Sequence, residues 1–252
     1  MKITKLAGTY NIRSYECDRN NNLRILTLMN IFQDMADNHA HQMGLGIEYV
    51  LSRGLAWVGS NYMLEIDRLP QMHENIRIET WPSEQRRIGA IRDFEVFGED
   101  GKSIIRACSQ WILIDFARKR PVSLKDNLPE YEALEEHAMS ADFPKIPEAE
   151  NGDDDYKFRV RFDDIDINKH VNNAVYILWA CEAVDAEFRL NHNPRRINVA
   201  FKKEGHMGEK IRVVTQQDRL RTIHGIYTYG GADDRELARL EIEWAPKQNQ
   251  AV

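Results

Sequence analysis

The chain is 252 residues long, with 34 Lys+Arg against 40 Asp+Glu and a formal net charge of −6. Hydrophobic residues make up 42% and charged residues 29%, which excludes a disordered chain and leaves no basic excess for a nucleic-acid binder that neutralises phosphates. No apolar run approaches the ~18–20 residues of a spanning helix, and the three cysteines, Cys17, Cys108 and Cys181, are too few and too scattered for a disulfide framework or a Cys-rich zinc site. Neither membrane insertion, a metal nor an organic cofactor is expected. Met1–Gly8 lacks the apolar run of a signal peptide, so a cytoplasmic location is expected.

In chain order, a short strand comes first, over about Ala7–Tyr15. Thr27 reads as a helix N-cap, and Leu28, Ile31, Phe32, Met35 and His39 recur at helical spacing, predicting a helix over Leu26–His39. Strands follow without another long helix, and Glu99-Asp100-Gly101 reads as a hairpin turn between two of them. The stretch 126–155 holds Pro129, Pro144 and Pro147, a short helical run Glu130–His137 and the acidic tract Glu148–Asp155. It offers little apolar surface and is expected on the outside, as a linker between domains 1–125 and 156–252. A second strand, about Tyr156–Phe162, leads to a second helix with Asn172 or Asn173 near its N-terminus and Val175, Leu178, Trp179 and Phe188 on its apolar face. Gly230-Gly231-Ala232-Asp233 is the second hairpin turn. Along Leu237–Trp244, Ala238, Leu240, Ile242 and Trp244 alternate with Arg239, Glu241 and Glu243, the period-two pattern of a strand with one buried face.

The halves repeat each other. Arg13 falls on Arg161, Glu16 on Asp164, Asp18 on Asp166, Asn20 on Asn168 and Leu23 on Val171, each pair 148 residues apart. Further on, Glu74–Ile78 falls on Glu209–Val213, then Arg106 on Arg239 and Trp111 on Trp244. Three matches in the same order point to a duplicated domain. One helix followed by antiparallel strands makes each copy an α+β unit, its helix burying an apolar stripe against a sheet that curls around it.

The densest polar cluster is Phe162–Asn173. Asp166, Asn168 and His170 are spaced by two, so in an extended segment a carboxylate, an amide and an imidazole would face one point. The segment runs into a helix N-terminus, whose free N–H groups favour developing negative charge. Such a set can polarise a carbonyl. A capping turn without chemistry is the competing reading. Asp164-x-Asp166-x-Asn168 copies the opening of a calcium loop, but Lys169 stands where the Gly is needed and Val175 where the bidentate Glu belongs. The chain has no Gly-x-Ser-x-Gly elbow, P-loop or Gly-x-Gly-x-x-Gly fingerprint.

Asp166-Ile167-Asn168-Lys169-His170-Val171-Asn172-Asn173-x-x-Tyr176 resembles the active-site motif of the acyl–acyl-carrier-protein thioesterases. The resemblance extends over Ile12–Glu16, the helix Leu26–His39, Trp57-Val58, Asp67–Pro70 and Phe201–Gly205. It implies a tandem double hotdog fold and a catalytic set of Asp166, Asn168, His170 and Glu204. The implied reaction is hydrolysis of a long acyl thioester carried on the phosphopantetheine arm of acyl carrier protein, releasing free fatty acid. Where one proposal for the family places a nucleophilic Cys, this chain has Gly205, so Glu204 is expected to act as general base on water, with Asn168 and His170 positioning and Asp166 orienting them. In an acyl-lined cleft desolvation would raise the carboxylate's pKa. An ion pair of Glu204 with Lys202 or Lys203 on a strand is the plain alternative.

Asn172 and Asn173 are expected to contact substrate. Met29, Phe32 and Trp57, with Met35 and Met63, are expected to wall an acyl tunnel, although ordinary core packing explains the same residues. The first copy has Asn22 opposite His170 and Leu69 opposite Glu204, so chemistry is assigned to the second. An acidic carrier protein would dock on a basic cluster: Arg86-Arg87, Arg118-Lys119-Arg120, Arg195-Arg196 or Lys202-Lys203. Rival readings are a hotdog thioesterase acting on coenzyme A esters and a non-catalytic acyl-binding protein; a hotdog dehydratase fits the motif less well. Two fused units already imitate a hotdog dimer, so a monomer suffices, and a homodimer is compatible.

Overall fold

A computed structural model describes residues 4–150, 156–231 and 233–247. Asn151–Asp155 of the acidic tract and Ala232 of the second hairpin turn lie outside the described residues. The chain divides into two units, Met1–Phe143 and Pro144–Val252.

The first unit runs β1 (Leu6–Asn11), a 3-10 turn (Ser14–Glu16), α1 (Ile25–Gln42), α2 (Ile47–Ser52), β2 (Leu55–Ile66), β3 (Asn75–Gln85), β4 (Gly89–Phe97), β5 (Ser103–Asp115), β6 (Arg120–Pro121) and α3 (Leu124–Asn127). Its strands pair antiparallel in the order β1-β3-β4-β5-β2, with β6 beside β5. The β4–β5 hairpin closes at Gly101, whose φ of 74° suits glycine. α1 buries Leu28, Met29, Phe32, Met35, Ala36 and His39, one stripe at helical spacing. Phe32 stacks on Phe94 of β4 with ring centroids 4.5 Å apart. At the end of the stripe, His39 Nδ1 accepts from Arg92 Nη1 at 3.1 Å.

Thr27 is not the N-cap. The first turn closes earlier, where Leu28 N donates to Arg24 O at 3.0 Å, and Thr27 lies inside the helix. The expected helix over Glu130–His137 is absent as well. That stretch runs along the sheet, its backbone groups committed elsewhere: Leu134 N donates to Pro82 O (2.9 Å), Trp81 Nε1 to Glu136 O (2.7 Å), Gln85 Nε2 to Tyr131 O (2.7 Å) and Ala138 N to Asp93 Oδ1 (3.1 Å). A helix would have consumed those groups internally. Tyr131 is buried against Leu45, and Met139, Ala141 and Phe143 pack on Met63, Ile91 and Cys108. Beyond residue 143, Ile146 and Ala149 are buried against Val214 and Ile223 of the second unit.

The second unit runs β7 (Tyr156–Arg159), a 3-10 turn (Phe162–Asp164), α4 (Asn173–Glu182), α5 (Ala186–Asn191), β8 (His192–Phe201), β9 (Lys210–Asp218), β10 (Arg221–Thr228) and β11 (Glu236–Pro246). The antiparallel order β7-β9-β10-β11-β8 copies that of the first unit strand for strand. On β11, Ala238, Leu240, Ile242 and Trp244 are buried, and Glu243 is exposed, as the alternation requires. α4 stops ten residues after it starts. Asp185 Oδ1 then accepts from Phe188 N at 2.9 Å and starts α5, so Phe188 lies on a separate helix, stacked on His192. α4 is buried nearly all round, including Val175, Tyr176, Ile177, Trp179 and Cys181. A helix with no polar face carries no periodicity to mark its end.

His224 of β10 is fully buried between Thr215 Oγ1 (2.9 Å) and Thr222 Oγ1 (2.8 Å). Burial pushes its pKa down from 6.5 to about 3. Between these values the unfolded chain binds a proton that the folded chain refuses. Stability is therefore expected to fall as pH drops from 6.5 towards about 3, at a rate approaching about 1.4 kcal/mol per pH unit. Urea midpoints measured at pH 7 and pH 4.5 should show this loss, and His224→Gln should flatten it.

Candidate functional site

The site is built on the loop between the 3-10 turn and α4. Asp164 is buried and paired with Arg161 (Nη2 to Oδ1, 2.8 Å), while its Oδ2 accepts from Arg161 N at 2.8 Å. With that carboxylate committed, the apparent calcium-loop ligand is a structural brace. The chain then folds back instead of extending. Asp166 Oδ1 accepts from Asn168 N (2.8 Å), Lys169 N donates to Asp166 O (2.9 Å), Asp166 N donates to His170 O (2.9 Å), and Lys169 takes φ +67°. Ile165 and Val171 bridge across the base of the turn.

The spacing of two therefore does not align Asp166, Asn168 and His170 on one face. Two groups form instead. Asp166 Oδ2 meets Asn168 Nδ2 at 3.4 Å. Separately, His170 Nε2 lies 3.3 Å from Glu204 Oε2. Among the described residues no side-chain hydrogen bond joins the two groups.

His206 completes the second group. His170, Glu204 and His206 each present a ligand atom, all within 4.8 Å of one another, and the two imidazole rings meet edge to face at 5.1 Å. Glu204 lies past the end of β8, in a loop. Lys202 pairs with Glu236 at 2.5 Å instead of with Glu204, which removes Lys202 from the plain ion-pair reading. Nor is Glu204 sunk in an acyl-lined cleft: its side chain is 48% exposed, against 34% for His170.

The loop is tightly held. Val171 N donates to Gly205 O (2.9 Å), Gly205 N donates to the buried Tyr176 hydroxyl (2.9 Å), and His206 N donates to Glu209 Oε2 (2.8 Å). Arg235 Nη2 donates both to Glu204 O (3.2 Å) and to Glu209 Oε1 (2.7 Å).

At the start of α4, the Asn172 side chain caps Ala174 N at 2.9 Å, and Val175 N donates to Asn172 O at 2.8 Å. Among the described residues nothing accepts a hydrogen bond from the Asn173 N–H. Asn172 and Asn173 are both half-buried.

The first unit reproduces the loop without its chemistry. Asp18 Oδ1 accepts from Asn20 N (2.8 Å), Asp18 N donates to Asn22 O (2.8 Å), Asn21 takes φ +64°, and Leu23 N donates to Pro70 O (2.7 Å). At the positions of His170, Glu204 and His206 stand Asn22, Leu69 and Gln71. The duplication thus extends to single hydrogen bonds, and at these three positions only the second copy has imidazoles and a carboxylate. The sequence reading missed His206, although it stands two residues beyond Glu204 and opposite Gln71.

No thiol competes for the nucleophile's role. Cys17, Cys108 and Cys181 are free and buried. Burial raises the pKa of all three thiols, that of Cys181 to about 11. At Gly205 a Cβ would come within 3.0 Å of Val171 Cγ2 and 3.1 Å of the Tyr176 hydroxyl, leaving little room for a cysteine. Of the expected acyl-contacting residues, Met29 and Phe32 are fully buried on α1, and Trp57 of β2 packs partly buried against Val50, Leu55, Ala90, Leu113 and Leu124. Among the basic clusters, Arg86 is tied to Glu84, while Arg118-Lys119-Arg120 and Lys203 are exposed.

Residues 4–131 match the model of the acyl-ACP thioesterase N-terminal domain, and residues 148–246 that of the acyl-ACP thioesterase C-terminal domain. The chain is 29% identical over 264 residues to acyl-[acyl-carrier-protein] hydrolase FATB3, chloroplastic, of Cuphea viscosissima, covering 97% of this chain and 63% of that protein. It is 24% identical to the chloroplastic palmitoyl-acyl carrier protein thioesterase of Arabidopsis thaliana, over 94% of this chain and 63% of that one. The chain thus spans about three fifths of the length of these relatives. Among solved structures it is similar to the 12:0-ACP thioesterase from Umbellularia californica, with a TM-score of 0.83, 24% identity and coverage of 96% and 98% of the two chains. An acyl-ACP thioesterase from Bacteroides thetaiotaomicron gives 0.81, 22%, 96% and 98%. The fold is the tandem double hotdog, each unit a helix wrapped by a curved antiparallel sheet. Among the described residues no helix is long and apolar enough to cross a membrane.

Proposed function

Because the chain belongs to the acyl-ACP thioesterase family, we propose that it hydrolyses the thioester of a fatty acyl group on acyl carrier protein and releases free fatty acid. The observation that carries the reading is the 3.3 Å approach of His170 Nε2 to Glu204 Oε2 beside the start of α4. Glu204 takes a proton from water, and the water oxygen attacks the thioester carbonyl. The tetrahedral intermediate then collapses, expelling the phosphopantetheine thiolate, which is reprotonated. His170, donating from Nε2, fixes the orientation of the carboxylate. Asn168, turned by Asp166, positions water or the thioester. The Asn173 N–H and the positive end of α4 suit the developing oxyanion.

The first unit keeps the fold and no base. We assign acyl-chain recognition to its Met29, Phe32 and Trp57, and contact with the thioester end to Asn172 and Asn173. The division into domains 1–125 and 156–252 joined by 126–155 belongs to the same proposal, as does a cytoplasmic location. The reading is tested by comparing turnover of the purified chain on acyl-ACP and on acyl-coenzyme A of the same length. Preference for acyl-ACP is expected. Preference for the coenzyme A ester supports the rival thioesterase, and acyl binding without hydrolysis of either supports the non-catalytic one.

Carrier-protein docking should use exposed positive charge near the site. Lys203 adjoins Glu204 and is exposed. Lys203→Glu is expected to raise KM for acyl-ACP several-fold while leaving that for a small thioester within about twofold, with the difference shrinking at high salt. Equal effects on both substrates would remove Lys203 from the docking surface.

A further inference from the structure

We propose that His170, Glu204 and His206 form a binding site for a divalent transition-metal ion of the Zn²⁺ class, and that its occupancy shuts the hydrolytic centre down. The second half of this statement rests on the proposed role of Glu204; the first does not.

The three ligand atoms already lie within 4.8 Å of one another. The His170 Nε2 to Glu204 Oε2 separation of 3.3 Å matches the edge of a tetrahedron around zinc, about 3.3–3.4 Å for bonds of about 2.0–2.1 Å. Two imidazoles and one carboxylate suit Zn²⁺ and its neighbours, whereas calcium and magnesium want oxygen donors. Three protein ligands leave a fourth position for water, and the half-exposed setting provides it.

The ligands are also pre-assembled. His170 and Glu204 come from different loops, which the Val171 N to Gly205 O bond ties together at 2.9 Å. His206 is set by its own N–H on Glu209 and by the Gly205 bond to Tyr176. These bonds hold the backbone of the ligand-bearing loops in place, so binding has chiefly the side chains left to order. The first unit provides an internal contrast, since the same loops there carry Asn22, Leu69 and Gln71, and a leucine cannot ligate. His206 has no task in the hydrolysis proposed above, and the metal site accounts for its placement. A carboxylate bound to the ion is a weaker base and is turned away from the attacking water, so hydrolysis by the Glu204 route proposed above is expected to stop in the bound state.

The test uses the full chain freed of metal by a chelator. Zn²⁺ is titrated calorimetrically, and Co²⁺ is titrated while visible absorption is followed, both without substrate. One equivalent of Zn²⁺ and an intense four-coordinate Co²⁺ band are expected. His206→Asn, at an exposed position, should weaken binding at least tenfold and relieve Zn²⁺ inhibition of thioester hydrolysis by a similar factor. No binding, or equal binding by His206→Asn, overturns the site. Activation by Zn²⁺ overturns the inhibitory half. Because binding is read without substrate, a chain that binds the ion yet hydrolyses no thioester supports the site and refutes the hydrolase reading instead.

Discussion

Glu204→Gln is expected to lower kcat/KM on acyl-ACP by about 10²–10⁴-fold, the usual contribution of a general base, with little change in thermal unfolding. The substitution keeps shape and removes only the ability to accept the proton. Its cost to the fold should be small because the side chain is 48% exposed and the neighbouring Lys202 is already paired with Glu236. The loop is held through its backbone, by Arg235 on Glu204 O and Tyr176 on Gly205 N, and the amide side chain disturbs neither bond. Steady-state kinetics beside a melting curve separates the two effects. Near-normal turnover would remove Glu204 from the chemistry.

Phe32→Ala is expected to act on the fold instead, destabilising the first unit by about 3–5 kcal/mol. Phe32 is fully buried, stacked on Phe94 at 4.5 Å, and Phe94 in turn stacks on Tyr62 at 6.3 Å. Truncation opens a cavity between α1 and β4 that close-packed neighbours fill only in part. Urea unfolding measures the loss, and a change below about 1 kcal/mol would contradict this packing. The milder Phe32→Leu keeps the fold and asks the functional question. An unchanged chain-length preference would leave Phe32 as core alone.

The parts of the fold that were legible in the sequence are those where one periodic face is buried and the other is wet. The α1 stripe from Leu28 to His39 and the alternation along Leu237–Trp244 are of that kind. The misread parts follow from long-range bonds that periodicity does not record. Glu130–His137 has helical composition, but its backbone groups bond to Trp81, Pro82 and Gln85. Phe188 fits the spacing of α4, but Asp185 restarts the chain between them. At the site, the polar cluster marked the first loop, the family resemblance named Glu204 and His170, and the repeat showed that the first copy has Asn22 and Leu69 in their places. It did not reveal that Asp166 turns back on Asn168, nor that His206 joins the pair, because both depend on how loops close and not on spacing.

In the proposed mechanism Glu204 activates water without becoming bonded to the acyl group. Single-turnover hydrolysis of acyl-ACP in H₂¹⁸O, with the chain in excess, tests it most directly by mass spectrometry of the released acid and of the peptide containing Glu204. One ¹⁸O is expected in the fatty acid and none in Glu204. Label in the Glu204 carboxylate with unlabelled acid would show a covalent acyl–carboxylate intermediate and contradict it.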